Sequence, residues 1–299
     1  MADLLAIIVV DGLVYASWLF LVALGLTLIY GVLRILNMAH GSFYALGAYT
    51  AASLITVHFA RGYPDAHSYW WLPAAALLVG LLVGVPMERF IVRWGYGRDD
   101  VLQLLMTFAV FLILEDLIKV IWGVNAYYAF QPFALLGSVQ VGGVFYPTYY
   151  LVLLGAACAA GLFVWYMVNR THFGKLVLAV IQDQSMALAM GIDVTRIRLV
   201  TFVLGTALAG LGGALTAPLI SVQPGLGVEV IVLAFAVVVT GGLGSLEGAA
   251  VGAALVGLAR AAAVHLLPEA ELFVIYMIMA VVLLVRPRGL FGKTEVRRI

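Results

Sequence analysis

Charge is what this sequence has least of. Only 10% of its 299 residues are Asp, Glu, Lys or Arg, while 65% are hydrophobic. A soluble globular domain carries about 25% charged and about 45–50% apolar residues, so a water-soluble monomer is excluded. Cysteine is nearly absent. The one copy, Cys158, lies within an apolar run, so no intrachain disulfide can form and the residue reads as packing. The net charge is +1 and no basic patch with interleaved aromatics stands out, so no nucleic-acid partner is expected. The opening MADLLAIIVVDGL has no Lys or Arg and therefore lacks the basic region of a cleaved signal peptide; it is expected to be retained.

What the sequence does have is long apolar runs. A span needs roughly 20 apolar residues, so the length admits about eight or nine spans with short loops. They fall at 12–33, 41–59, 72–92, 101–122, 148–168, 199–218, 229–243, 247–264 and 271–286. The expected fold is an all-α polytopic membrane bundle, one domain over 1–299. The shortest run, 229–243, suits a full span, a half-helix or a re-entrant piece. Of the 16 basic residues, 13 fall in alternate connections: Arg34; Arg89, Arg93 and Arg98; Arg170, Lys175, Arg196 and Arg198; and Arg286, Arg288, Lys293, Arg297 and Arg298. Basic loops face the cytoplasm, so the C-terminus is expected inside and, with nine spans, the N-terminus outside. The connections of the other side, 60–71, 123–147, 219–228 and 265–270, are rich in aromatics. They suit interfacial anchoring, docking of an external protein, or both.

Small residues recur four apart in Gly205, Ala209 and Gly213 and in Gly244, Gly248 and Gly252, a spacing that lets helix backbones approach in lipid. Two short stretches, GSFYALGA (41–48) and GSLEGAAVGA (244–253), echo one another. The stretch GVLRILNMAHGSFYALGAY (31–49) interrupts two apolar runs with polar groups. Asn37, His40 and Ser42 can satisfy backbone groups at a helix break. The break is either an ordinary inside turn or the inner mouth of a translocation path, with His40 read as structural rather than as a proton relay. Glu115 and Lys119 are four apart in the run 101–122 and can pair, with Asp116 beside them. The three make either a structural ion pair or an outer gate or docking surface. Arg260 has Glu269 and Glu271 as candidate partners, and Glu229 and Glu247 read as helix-start carboxylates. GLFGKT (289–294) is not a phosphate loop, because Pro287 stands where its first glycine is needed and no strand precedes it. NRT (169–171) lies on the basic side and is a chance sequon. The serines of HGS (40–42) and LGSL (243–246) have no base to make either a nucleophile.

Residues 169–198 form the one long basic-side connection with a helical pattern. Leu176, Val180, Ala187 and Met190 can share an apolar face, Gln182, Asp183 and Gln184 are polar, and Gly191 suits a C-cap. The helix either packs on the bundle or enters a groove of a cytosolic partner. Here four stretches, ALGLTLIYGVLRILNMAHGSFYALGAY (23–49), QDQSMALAMGIDVTRIRLVTFVLGTALAGLGGAL (182–215), VVVTGGLGSLEGAAVGAALVG (237–257) and RPRGLFG (286–292), resemble LivH-type permeases of branched-chain amino acid ABC transporters, and the likeness covers nearly the whole chain. The resemblance implies a LivM-type second permease, two cytosolic ATPase subunits and a periplasmic binding protein, in the bacterial inner membrane. It implies no cofactor or metal on this chain, ATP and Mg being used by the partner subunits. It makes 176–191 the coupling helix, with Asp183, Ala187 and Gly191 at its core, although Gln184-Ser185-Met186 stands where many relatives have Glu-Ala-Ala. It also gives Asn37, His40 and Ser42 a place on the path. Leucine, isoleucine and valine are the family's default substrates; relatives also carry urea, short amides, hydroxy acids or aromatic acids. The alternative is a stand-alone secondary transporter or channel, which calls for ionisable groups near the membrane centre, and these are scarce in the sequence. A membrane enzyme would need a catalytic constellation, and none assembles from these residues.

Overall fold

A computed structural model describes residues 2–141 and 144–292. Lys293, Arg297 and Arg298 of the basic tail, and the end of GLFGKT, lie outside the described residues. A chain this apolar has no water to bond its backbone, so it must close its hydrogen bonds within each segment, and helix is the result. Each apolar run becomes a helix: α1 (Ala2–Leu33), α2 (His40–Ala60), α3 (71–95), α4 (Asp100–Trp122) and α5 (Tyr149–Arg170). Two short helices follow, α6 (His172–Gln182) and α7 (Gln184–Ala189). The chain then continues through α8 (Val194–Thr216), α9 (Leu226–Gly241), α10 (Leu246–Leu266) and α11 (Glu271–Val285). Among the described residues six stretches are long and apolar enough to cross a membrane: Leu4–Leu33, His40–Ala60, Asp65–Gly95, Tyr149–Arg170, Val194–Thr216 and Leu246–Leu266. The 23-residue α4 is of spanning length too, though it carries Asp100, Glu115, Asp116 and Lys119. A small antiparallel hairpin, β1 (Ser138–Val141) with β2 (Val144–Pro147), departs from the all-helical expectation within the connection 123–147.

Two details differ from a set of plain spans. In α3, Pro86 has no N–H to close the helical ladder, and the wider π-turns Gly80–Gly84 and Glu88–Val92 flank it. The run 229–243 forms the 16-residue α9. At 1.5 Å per residue this is about 24 Å, short of a roughly 30 Å hydrocarbon core.

α1 runs through the middle of the bundle, with Leu19, Leu21, Val22, Ala23, Leu24 and Leu26 all buried. It packs on α10, α8, α5 and α9. The small-residue stripes are where helices cross most closely. Gly205 of α8 meets the backbone of α1 at Gly25, while Gly210 meets Gly47 and Gly213 meets Tyr44, both on α2. On α10, Gly248 and Gly252 lie on Gly241 of α9, whereas Gly244 lies on Gly31 of α1. The two Gly-Ser echoes thus both open helices but meet different partners, which gives no support to a repeat.

At Gly25, Gly47, Gly213, Gly241, Gly248 and Gly252 a side chain would overlap backbone atoms rather than a movable side chain. Overpacking of this kind costs about 1–3 kcal/mol or more. Gly47→Leu is therefore expected to lower the midpoint of thermal aggregation in detergent, measured by size-exclusion chromatography. Gly155→Leu, at a position with open space around it, should leave that midpoint near wild type.

Candidate functional site

The polar break after α1 turns back into the bundle. α1 ends at Leu33, and Arg34 takes a left-handed backbone conformation (φ 58°) that reverses the chain. Thr107 of α4 clamps the returning strand: its hydroxyl accepts the Met38 N–H at 3.2 Å and reaches the Leu36 carbonyl at 3.2 Å. Asn37 Oδ1 accepts the Ala39 N–H (3.1 Å), and α2 then starts at His40. His40 lies 3.0 Å from the Val22 carbonyl through Nε2. A carbonyl only accepts, so Nε2 carries the proton. Val22 is 11 residues back from the end of α1, so α2 begins about 16 Å up that helix. Asn37, His40 and Ser42 are fully buried. They build a helix start inside the bundle rather than a turn at its end.

α9 begins inside the bundle as well. Its approach is an extended strand whose Val222 exchanges two backbone hydrogen bonds with Tyr127, followed by Gly225 at φ 92°. The N-termini of α2 and α9 meet: a Cβ on Gly41 would overlap the Gly227 carbonyl. Glu115 of α4 lies between them. Its carboxylate accepts the Ser42 hydroxyl at 3.2 Å and the Gly225 N–H, and it crowds Gly227 so closely that no side chain fits there. A helix N-terminus carries roughly half a positive charge, so one carboxylate answers two of them.

This geometry corrects two expectations. The sequence reading sets Ser42 at an inside turn or inner mouth and Glu115 in an ion pair or at an outer gate or docking surface; the fold puts the two in contact. It also pairs Glu115 with Lys119. Lys119 instead bonds Asp116 at 3.0 Å on an outward face, where Asp116 is 76% exposed. That exposed pair is apart from the buried junction.

The loop 169–198 is two helices, not the single helix expected over 176–191. Asp183 turns extended (φ −155°), ends α6 and caps α7 by accepting the Met186 N–H at 2.9 Å. Gly191 (φ 77°) closes α7 with a double C-terminal cap, Gly191 N–H to the Leu188 carbonyl and Ile192 N–H to that of Ala187, both 3.0 Å. Ala187 is buried while Met186, Leu188 and Met190 are exposed, so Ala187 and Met190 do not share a face. Behind α7 runs a polar chain that sequence reasoning missed. Gln184 Oε1 accepts from Arg198 (2.6 Å), whose guanidinium lies 4.1 Å over the Tyr96 ring; Tyr96 donates to the buried Glu88 (3.0 Å), which also pairs with Arg93 (3.1 Å). Burial, with Glu88 adding to it, pushes the Tyr96 phenol up, so it remains an O–H donor at neutral pH.

A second feature invisible in the sequence is a cavity of about 840 Å³ at the opposite end of the bundle from α7. It gathers Asp11 and Tyr15 from α1, Tyr44 from α2, Glu229 from α9, Arg260 and His265 from α10 and Glu271 from α11. Arg260 pairs with Glu271, one of its two candidate partners, and stacks on Tyr15 at 4.0 Å. His265 lies 2.8 Å from Asp11.

A family model described as "Branched-chain amino acid transport system / permease component" matches residues 8–283. The chain belongs to this permease family. LivH of Salmonella typhimurium, a high-affinity branched-chain amino acid transport system permease protein, is 27% identical over 97% of this chain and 96% of its own. BraD of Pseudomonas aeruginosa is 29% identical with the same coverage. The probable LivH of Methanocaldococcus jannaschii is 29% identical over 94% of this chain and 90% of its own. LivM of Salmonella typhimurium also matches, at 27% identity over 92% of this chain and 68% of its own. The protein is thus a multi-pass membrane permease of a transport system, not an enzyme.

In this permease the buried junction has a direct test. Glu115→Leu removes the acceptor for the Ser42 hydroxyl and the Gly225 N–H. Leaving buried donors unmet costs about 1–3 kcal/mol each. The variant is expected to unfold at a clearly lower temperature in detergent than wild type, and Asp116→Leu, on the exposed face, within about a degree of it. Equal midpoints for both variants would refute the structural role of Glu115.

Proposed function

We propose that this chain is one of two membrane subunits of an ATP-driven importer for branched-chain amino acids. In this reading a second, LivM-like permease completes the membrane part. Two cytosolic ATPase subunits hydrolyse Mg-ATP, and an external binding protein delivers leucine, isoleucine or valine. The observation that carries it is the family match over 8–283, reinforced by relatives of LivH type that align along nearly their whole length. The separate likeness to LivM supports a pseudo-symmetric pair of permeases.

Two further features support the reading. The basic loops gather at the end that carries α6 and α7, which suits a cytoplasmic face and an inner-membrane location, with the C-terminus inside. On that face α7 is short, doubly capped and shows Met186, Leu188 and Met190 outward around the buried Ala187. A rigid, apolar, projecting helix fits insertion into a cleft of an ATPase. Asp183 and Gly191 then fix the two ends of the coupling element.

Affinity purification from native membranes in mild detergent is expected to recover a second permease and two ATPase subunits, identified by mass spectrometry. Recovery of this chain alone, monodisperse and moving substrate without ATP, would favour a secondary transporter. Gly191→Val places a β-branched residue at φ 77°, where such side chains are strained. We expect the assembled complex to keep its subunits and lose at least tenfold of its ATP-driven leucine uptake in proteoliposomes. Wild-type uptake in this variant would overturn the coupling role of α7.

A further inference from the structure

We propose that the cavity around Arg260 is a binding site for a zwitterionic amino acid with an aliphatic side chain, Arg260 taking its carboxylate and Glu229 its ammonium. The inference rests on the import reading above and adds to it the residues that hold the substrate on this chain.

Ionised groups are costly at membrane depth and collect where they face a cavity or a partner. Here five acidic, basic or histidine side chains from four helices line one space: Asp11, Glu229, Arg260, His265 and Glu271. Two are already engaged as the His265–Asp11 pair. Arg260 is held by Glu271 on one side and by the Tyr15 ring on another. A guanidinium has five N–H donors, so it retains capacity for a second carboxylate. Glu229, in the first turn of α9, is exposed to the cavity and has no ion-pair partner among the described residues.

The balance of charge selects the ligand. Beside the His265–Asp11 pair the lining holds two further carboxylates, Glu229 and Glu271, against the one guanidinium of Arg260, so a simple anion meets net repulsion. A simple cation would leave unused the Arg260 donors that Glu271 does not take. A molecule bearing both signs satisfies Arg260 and Glu229 together. The remaining wall suits an aliphatic group, with Leu226, Val230 and Leu233 of α9 beside Trp18 and Tyr44. The floor is closed by the Tyr44 hydroxyl, 2.5 Å from Thr216 Oγ1. Tyr44 and Leu226 each stand within three residues of the Gly41–Gly227 contact, so the cavity ends on the buried junction.

The test uses the complete complex with its binding protein in proteoliposomes, reading leucine moved per ATP hydrolysed. Wild type must first show ATP-driven leucine uptake; its failure would fall on the import reading, not on this site. Given that uptake, Glu229→Gln and Arg260→Gln are each expected to lower leucine moved per ATP at least tenfold. The exchanged pair Arg260→Glu with Glu271→Arg should not restore it, because the charges would face the substrate the wrong way round. An unchanged ratio would overturn the proposal, whether uptake stays at wild type or falls in step with ATP hydrolysis, as loss of docking would give. Restoration by the exchanged pair would reduce Arg260 and Glu271 to a structural bridge. Because Glu229 has no ion-pair partner among the described residues, its variant decides the matter even if the Arg260 variants do not fold.

Discussion

A helix that starts inside a membrane bundle leaves its first N–H groups without intrahelical acceptors, and lipid supplies none. Both α2 and α9 start that way, and the two starts face each other. Side-chain oxygens answer this demand. Asn37 takes one N–H before α2, the Thr107 hydroxyl takes the Met38 N–H, and Glu115 takes the Gly225 N–H before α9. Glu115 also sets a negative charge between two positive helix ends, which would otherwise repel.

The rest of the packing follows from this. For His40 to reach the Val22 carbonyl, the strand 34–39 must climb back along α1, and the Arg34 reversal permits it. For α2 to lie among its neighbours from that depth, α8 must come close, and Gly210 and Gly213 remove the side chains that would prevent it. For α9 to meet α2, both contact positions must be glycine, and Gly41 and Gly227 are. The abundance of glycine reflects contacts between backbones in a medium where packing, not the hydrophobic effect, holds helices together.

The apolar runs were legible because a membrane span is a local property of the chain: each expected run has its helix, with boundaries shifted by a few residues. The break at 34–40 was legible as a break, since arginine, asparagine and histidine stand out in an apolar context. Its depth was not, because depth is set by Val22 and Thr107, which look like ordinary span residues. The Ser42–Glu115 bond joins positions 73 apart, and no periodicity reports it. The loop helix was misread at Asp183, where a run of helix-compatible residues hid a cap. The cavity was missed because its charged groups lie near the ends of four different runs; each alone reads as a helix-end residue, and only the fold brings Asp11 and Glu271 to one place.

The face that carries α7 and the cavity at the other end of the bundle are joined by α8. Its first turns hold Arg198, which bonds Gln184 of α7, and its last residue, Thr216, bonds Tyr44 on the cavity floor. Between them it is continuous over 23 residues, with Gly205 against α1 and Gly210 and Gly213 against α2 at its closest backbone approaches. α3 differs: it also reaches the α7 side, through Tyr96 and Glu88, but its π-turns around Pro86 offer a place to flex. The Arg198 guanidinium touches both routes, one through its own helix and one through the Tyr96 ring. α7 is therefore linked both to an unbroken helix that ends at the cavity floor and to one interrupted by two π-turns.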